Sequence, residues 1–174
     1  MKLAHALSAL SLLLAATVAW GQGAKPSDAQ IAQIVVTANQ VDIDAGKLAD
    51  SKATNPDVKA FAERMVTDHT AVNKSAVDLV TKLHVTPLAS PTSEALQKGG
   101  DQNLANLKKL SGAAFDKAYI DHEVAYHQQV LAALDKTLIP DASNAELKAL
   151  LVKVRPAFVD HLQHAQQLQA QLSK

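Results

Sequence analysis

The chain has 174 residues, the length of one ordinary domain, and its apolar content (48% hydrophobic, 3% aromatic) is mostly Ala, Leu and Val. Such residues suit close-packed helices and argue against an aromatic-rich sandwich or barrel. Seventeen basic residues balance seventeen acidic ones and cysteine is absent, so there is no basic excess for nucleic acid, no disulfide, no thiol chemistry and no cysteine-based zinc site.

Met1-Lys2 opens the chain with a positive charge, and Leu3 to Val18 is nearly all apolar. Small residues follow at Ala19, Gly21, Gly23 and Ala24. This layout predicts a signal peptide over residues 1–21, with cleavage anywhere between 19 and 24. The apolar run, about 16 residues, is shorter than the ~20 of a spanning helix, and no later stretch is long or apolar enough. The expectation is an exported, periplasmic or secreted protein without a transmembrane segment after leader removal.

The mature chain reads as four long helices. Ser27 and Gln30 form a capping-box pattern before a helix over residues 28–51, whose Ile31, Ile34, Ala38, Val41, Ala45 and Leu48 recur at helical spacing. Asn55-Pro56 starts a second helix over 56–83, with a seam of Val58, Ala62, Met65, His69, Val72, Ala76 and Leu79. The connection from His84 to Gly112 holds Pro87, Pro91 and Gly99-Gly100, the last reading as a helix breaker, and one short helix is expected within it at 101–110. A third helix over 113–137 carries Ile120, Val124, His127, Leu131 and Leu134, and Ile139-Pro140 is expected to stop it. Ser143 and Glu146 give a second capping-box pattern before a helix over 144–172, with Leu147, Leu151, Val154, Phe158, His161, Ala165 and Leu168 on its seam. Pro156 inside that helix predicts a kink or a split.

Short links within each pair and a long link between pairs predict an all-α, ferritin-like four-helix bundle over 28–172: two antiparallel hairpins joined by a long crossover.

Three histidines interrupt the apolar seams, His69, His127 and His161, each on a different helix, and Asp42 borders the seam of the remaining helix. At 1.5 Å per residue, Asp42 and His69 lie roughly 18 and 22 Å from their shared hairpin, and His127 and His161 roughly 20 and 31 Å from theirs. All four therefore fall near mid-bundle. Neutral imidazole is the commonest protein metal ligand, and three with one carboxylate suit a zinc, copper or iron ion. Glu123, four residues before His127, and His164, three after His161, are additional ligands or partners that fix an imidazole tautomer. Asp68 points elsewhere on its helix. The competing reading is a metal-free His/Asp/Tyr hydrogen-bond network, with Tyr119 and Tyr126 available to it. No catalytic residue is assigned: the Glu-x-x-His pairs of di-iron bundles are missing, since Val66, Val124 and Phe158 stand three residues before the histidines.

The stretches Val58–Thr70, with Met65-Val66-Thr67-Asp68-His69-Thr70, and Leu110–Ile120, Leu-Ser-Gly-Ala-Ala-Phe-Asp-Lys-Ala-Tyr-Ile, resemble an exported bacterial family catalogued as domain-of-unknown-function family 4142, some members of which are labelled outer-membrane proteins. The resemblance covers residues 28–172 and maps its motifs to His69, Tyr119, His127 and His161. It implies a ferritin-like fold and export, with outer-membrane association open, and brings no established activity. Members often carry Glu where this chain has Asp42. The resulting expectation is an envelope protein with a mid-bundle His/Asp metal site; the alternative is a metal-free structural or partner-binding envelope protein. No protein partner can be named.

Overall fold

The computed structural model describes residues 25–174; the expected leader lies outside them. Helix α1 spans Asp28–Lys52, α2 Pro56–Lys82, α3 Pro91–Leu107 and α4 Gly112–Ala133. A π-helical turn, Leu134–Leu138, carries α4 into the short α5, Ile139–Asp141, and α6 spans Ala145–Leu172. Among the described residues there is no strand, and no helix is long and apolar enough to cross a membrane.

The caps explain the helix starts. Gln30 N donates to Ser27 Oγ and Ser27 N to Gln30 Oε1, closing the expected box. Asn55 Oδ1 accepts from the amides of Asp57 and Val58. The expected Ser143–Glu146 box does not form. Asn144 is the cap of α6, accepting from Glu146 N and Leu147 N, because the amides of Ser143 and Asn144 donate instead to the Asp28 carboxylate. A matching clamp closes the first hairpin, where the buried Asp116 carboxylate accepts from Thr54 N, Thr54 Oγ1 and Asn55 N.

Three further expectations are corrected. The helix in the crossover begins at Pro91, ten residues earlier than expected, behind the reciprocal Ser90–Ser93 cap, and runs through Gly99-Gly100. Gly100 is a packing residue rather than a breaker: a Cβ there would lie 2.7 Å from Val41 Cγ2, so only glycine lets α3 approach α1 this closely. Pro140 does not stop α4 at residue 137. The wider π turn hydrogen-bonds Ile139 N to Leu134 O, and the chain stays helical to Asp141. Pro156 does not split α6, which runs through it as one helix.

Helices α1 and α2 pack as one hairpin and α4 and α6 as another; α2 meets α6, α1 meets α4, and α3 lies along α1. The interior forms two apolar clusters. One gathers Ile31, Ile34, Leu134, Leu138, Leu151 and Phe158; the other gathers Ala49, Phe61, Met65, Phe115, Tyr119 and Leu168. On α1 the change of cluster falls between Val41 and Ala45, on α2 between Met65 and Ala76, on α4 between Val124 and Tyr126, and on α6 between Phe158 and Ala165. Asp42, His69 and His161 lie within those gaps and His127 directly beside one. The apolar core is thus divided by a single polar layer.

Candidate metal centre

Helices α1, α2, α4 and α6 each deliver a side chain to this layer. Asp42, His69, Glu123, His127 and His161 are all at most 2% exposed. The imidazole centroids of His69, His127 and His161 are 5.2–5.6 Å apart, a nearly equilateral triangle. One ring nitrogen from each histidine lies within 4.8 Å of the others, and one ligand atom each from Asp42, Glu123 and His127 does the same. Phe158 packs against the His69 ring at 5.1 Å between centroids.

The hydrogen bonds determine which nitrogens face inward. Asn39 Nδ2 donates to Val35 O at 2.7 Å, which leaves Asn39 Oδ1 as an acceptor 2.7 Å from His69 Nδ1. His69 therefore carries its proton on Nδ1. His127 Nδ1 donates to Glu123 O at 3.0 Å, and His161 Nε2 donates to Asp68 Oδ2 at 2.8 Å. These assignments follow from the acceptors present. The remaining nitrogens, His69 Nε2, His127 Nε2 and His161 Nδ1, are buried and have no hydrogen-bond partner. All three are lone-pair donors.

A carboxylate faces these lone pairs. Asp42 Oδ2 is 3.1 Å from His69 Nε2 and 3.6 Å from His127 Nε2. Lone pair against carboxylate at such distances is repulsive unless a proton or a cation lies between them. Glu123 Oε2 is 3.5 Å from His127 Nδ1. The oxygens of Asp42 and Glu123 receive no other donor, and the relief available within the protein is a proton held between the two carboxyls. The Tyr119 hydroxyl, buried beside them, is also unpartnered.

Burial sets the charge states. It lowers His69 well below the ordinary imidazole value, with His127 and His161 adding to the effect, and lowers His127 to about 3. His161 is lowered by burial and partly restored by its bond to Asp68. The three rings are thus neutral at physiological pH, as metal ligands must be. Burial raises Asp42 to about 7 and, with the Asp42 charge beside it, raises Glu123 well above the usual carboxylate range. Six buried groups left unsatisfied at about 1–3 kcal/mol each would consume most of the ~5–15 kcal/mol by which a small domain is stable. The layer needs added protons, an enclosed water or a cation.

The structure brings together Asp42, His69, Glu123, His127 and His161. It does not bring His164, which is half-buried with its ring edge-on to Phe61 at 5.2 Å. Tyr126 is also outside the network: its hydroxyl donates to Ala38 O. Two participants were missed. Asp68 points away from its own neighbour His69 but reaches His161 across the α2–α6 seam, and Arg64 Nε holds it from the solvent side at 3.2 Å. Asn39 had a signal: an Asn three residues before Asp42 in mid-helix, where only a buried partner justifies it.

The chain belongs to the family described as domain of unknown function DUF4142. That family's model matches residues 14–168, which include every residue of the layer. No curated protein and no solved structure matches the chain. The DUF4142 description carries no activity, so the functional reading rests on the site.

Proposed function

We propose that this DUF4142 protein is an exported envelope protein, a ferritin-like bundle of two hairpins and a crossover over residues 28–172, that binds one transition-metal ion in its middle layer. The ligands are His69 Nε2, His127 Nε2 and His161 Nδ1, with Asp42 as the fourth. Glu123 stands beside Asp42 and completes the charge: two carboxylates balance one divalent ion among neutral imidazoles. By donor type the ion is zinc, copper or iron. The observation that carries this reading is the disposal of the outward nitrogens. Each imidazole gives its N–H to a fixed acceptor, Asn39, the Glu123 carbonyl or Asp68, which is how metal-ligating histidines are held. Tetrahedral bonds of about 2.0–2.1 Å place ligand nitrogens about 3.3 Å apart, so the present spacing, under 4.8 Å, closes with small side-chain movements.

Metal analysis of the mature protein, purified without an affinity tag and loaded in turn with zinc, copper and iron, tests this. One equivalent of a bound ion is expected. Less than about a tenth of an equivalent for all three ends the proposal, since a preformed site of this kind binds near-stoichiometrically.

A metal-free reading has one specific observation in its favour. With both carboxyls protonated, Glu123 donates to Asp42 and Asp42 donates to His69 Nε2, which satisfies part of the layer without an ion. It leaves His127 Nε2 and His161 Nδ1 without donors.

A further inference from the structure

A cavity adjoins the histidines on the side of α1, α4 and α6. Its inner stretch is lined by Asp42, His69 and His127 together with Ala38, Val130 and Phe158. Its outer stretch shares Ala38, Asn39, Val130 and Phe158 with the inner one and is otherwise walled by aliphatic residues such as Ile34, Leu134 and Leu138. Ala38 and Val154, half-buried, are its members nearest solvent.

We propose that this cavity admits a small, uncharged molecule of diatomic size, of the dioxygen or nitric oxide class, to the ion bound at the histidine layer; the proposal rests on the metal reading above. Three observations support it. Each stretch has room for about one water-sized molecule, far below the roughly 300–1,000 Å³ of an organic ligand site. No cationic side chain lines either stretch, and the aliphatic outer wall offers an entering anion nothing to replace its hydration. The π turn of Leu134–Leu138 puts both of its end residues into the wall, and such turns recur beside functional sites because they displace a stretch of helix from regular packing. The inner stretch touches His69, His127 and Asp42 but not His161, so an incoming molecule meets the ion from one side, opposite the His161–Asp68 pair.

The test uses the full mature chain loaded anaerobically with ferrous iron and exposed to nitric oxide, with azide as the anionic comparison. Nitric oxide is expected to turn the ferrous ion, silent in electron paramagnetic resonance, into a paramagnetic iron–nitrosyl, and an excess of azide to change neither the yield nor the rate of appearance of that signal. Ala38→Leu narrows both stretches at the wall they share without replacing a ligand or the Ala38 carbonyl. It should slow nitric oxide association severalfold at unchanged iron stoichiometry, with Ala38→Val giving a smaller effect in the same direction. An iron-loaded protein that ignores nitric oxide, or Ala38 variants that associate with it at the native rate, overturns this proposal and leaves metal binding standing. Failure to bind iron, zinc or copper overturns the metal reading and this one with it.

Discussion

Asn39→Leu is the substitution that most sharply separates a built metal site from a histidine-rich core. Asn39 touches no part of the proposed ion. Its amide is anchored on Val35 O and its oxygen accepts from His69 Nδ1 at 2.7 Å, which fixes the ring so that Nε2 points inward. Leucine fills the same space and offers no acceptor. Two effects follow. The buried Nδ1–H loses its partner, a cost of about 1–3 kcal/mol to the metal-free fold. The ring is also free to move its proton to Nε2, and loss of such an outer hydrogen bond typically lowers metal affinity about 10–100-fold. Asn39→Asp keeps an acceptor for His69 Nδ1 while losing the bond to Val35 O, and should bind zinc more tightly than Asn39→Leu. Competition of the protein against a chromophoric chelator for zinc at neutral pH reads the affinity, and urea unfolding in the presence of chelator reads the stability. An Asn39→Leu protein that folds and binds zinc with native affinity would refute the assignment of tautomer to function.

Three other outcomes are expected. His161→Ala should abolish stoichiometric binding, whereas His164→Ala, three residues on and packed against Phe61, should leave it intact; metal analysis of both variants checks the contrast. For the metal-free protein, the sign of the Asp42 contribution follows from its raised value of about 7. The folded state holds that proton more tightly than the unfolded chain, so the associated stability is complete below the ordinary carboxylate range and is lost as pH rises towards 7. Relative to Asp42→Asn, wild type should therefore lose up to about 1.4 kcal/mol per pH unit across that window, with Glu123 acting in the same direction. Urea titrations at several pH values in chelator measure the difference, and a flat or rising one contradicts the buried-carboxyl account. Finally, Gly100→Ala should cost about 1–3 kcal/mol by driving a methyl into Val41, while Gly99→Ala, with nothing within 4 Å, should stabilise α3 by about 0.5–1 kcal/mol. Paired thermal melts check the opposite signs.

The features legible in the sequence are those governed by local chemistry. The Ser27–Gln30 box, the Asn55-Pro56 start and the three–four seams each depend on residues within one or two turns, and each placed a helix correctly. The depth of Asp42, His69 and His127 followed from counting residues back to the hairpins, because a straight helix is a ruler. Errors arose where a distant partner decided the outcome. Gly99-Gly100 looks like a breaker until Val41 on α1 is seen to need the space. Ser143 looks like a cap until Asp28, 115 residues away, takes its amide. Pro140 looks like a stop until a π turn accommodates it. In the site, Asp68 reads from the sequence as lying elsewhere, because neighbours on one helix diverge by about 100°. That divergence is what lets Asp68 meet His161 from outside while His69 meets it from within.

Long-range proton–nitrogen correlation spectra of histidine-labelled protein, before and after one equivalent of zinc, test the central claim most directly. The account predicts that His69 and His127 carry the proton on Nδ1 and His161 on Nε2 in the metal-free protein. On adding zinc, the signals of His69 Nε2, His127 Nε2 and His161 Nδ1 should move together while those of His164 stay in place. Zinc that leaves all three nitrogens unshifted would contradict it.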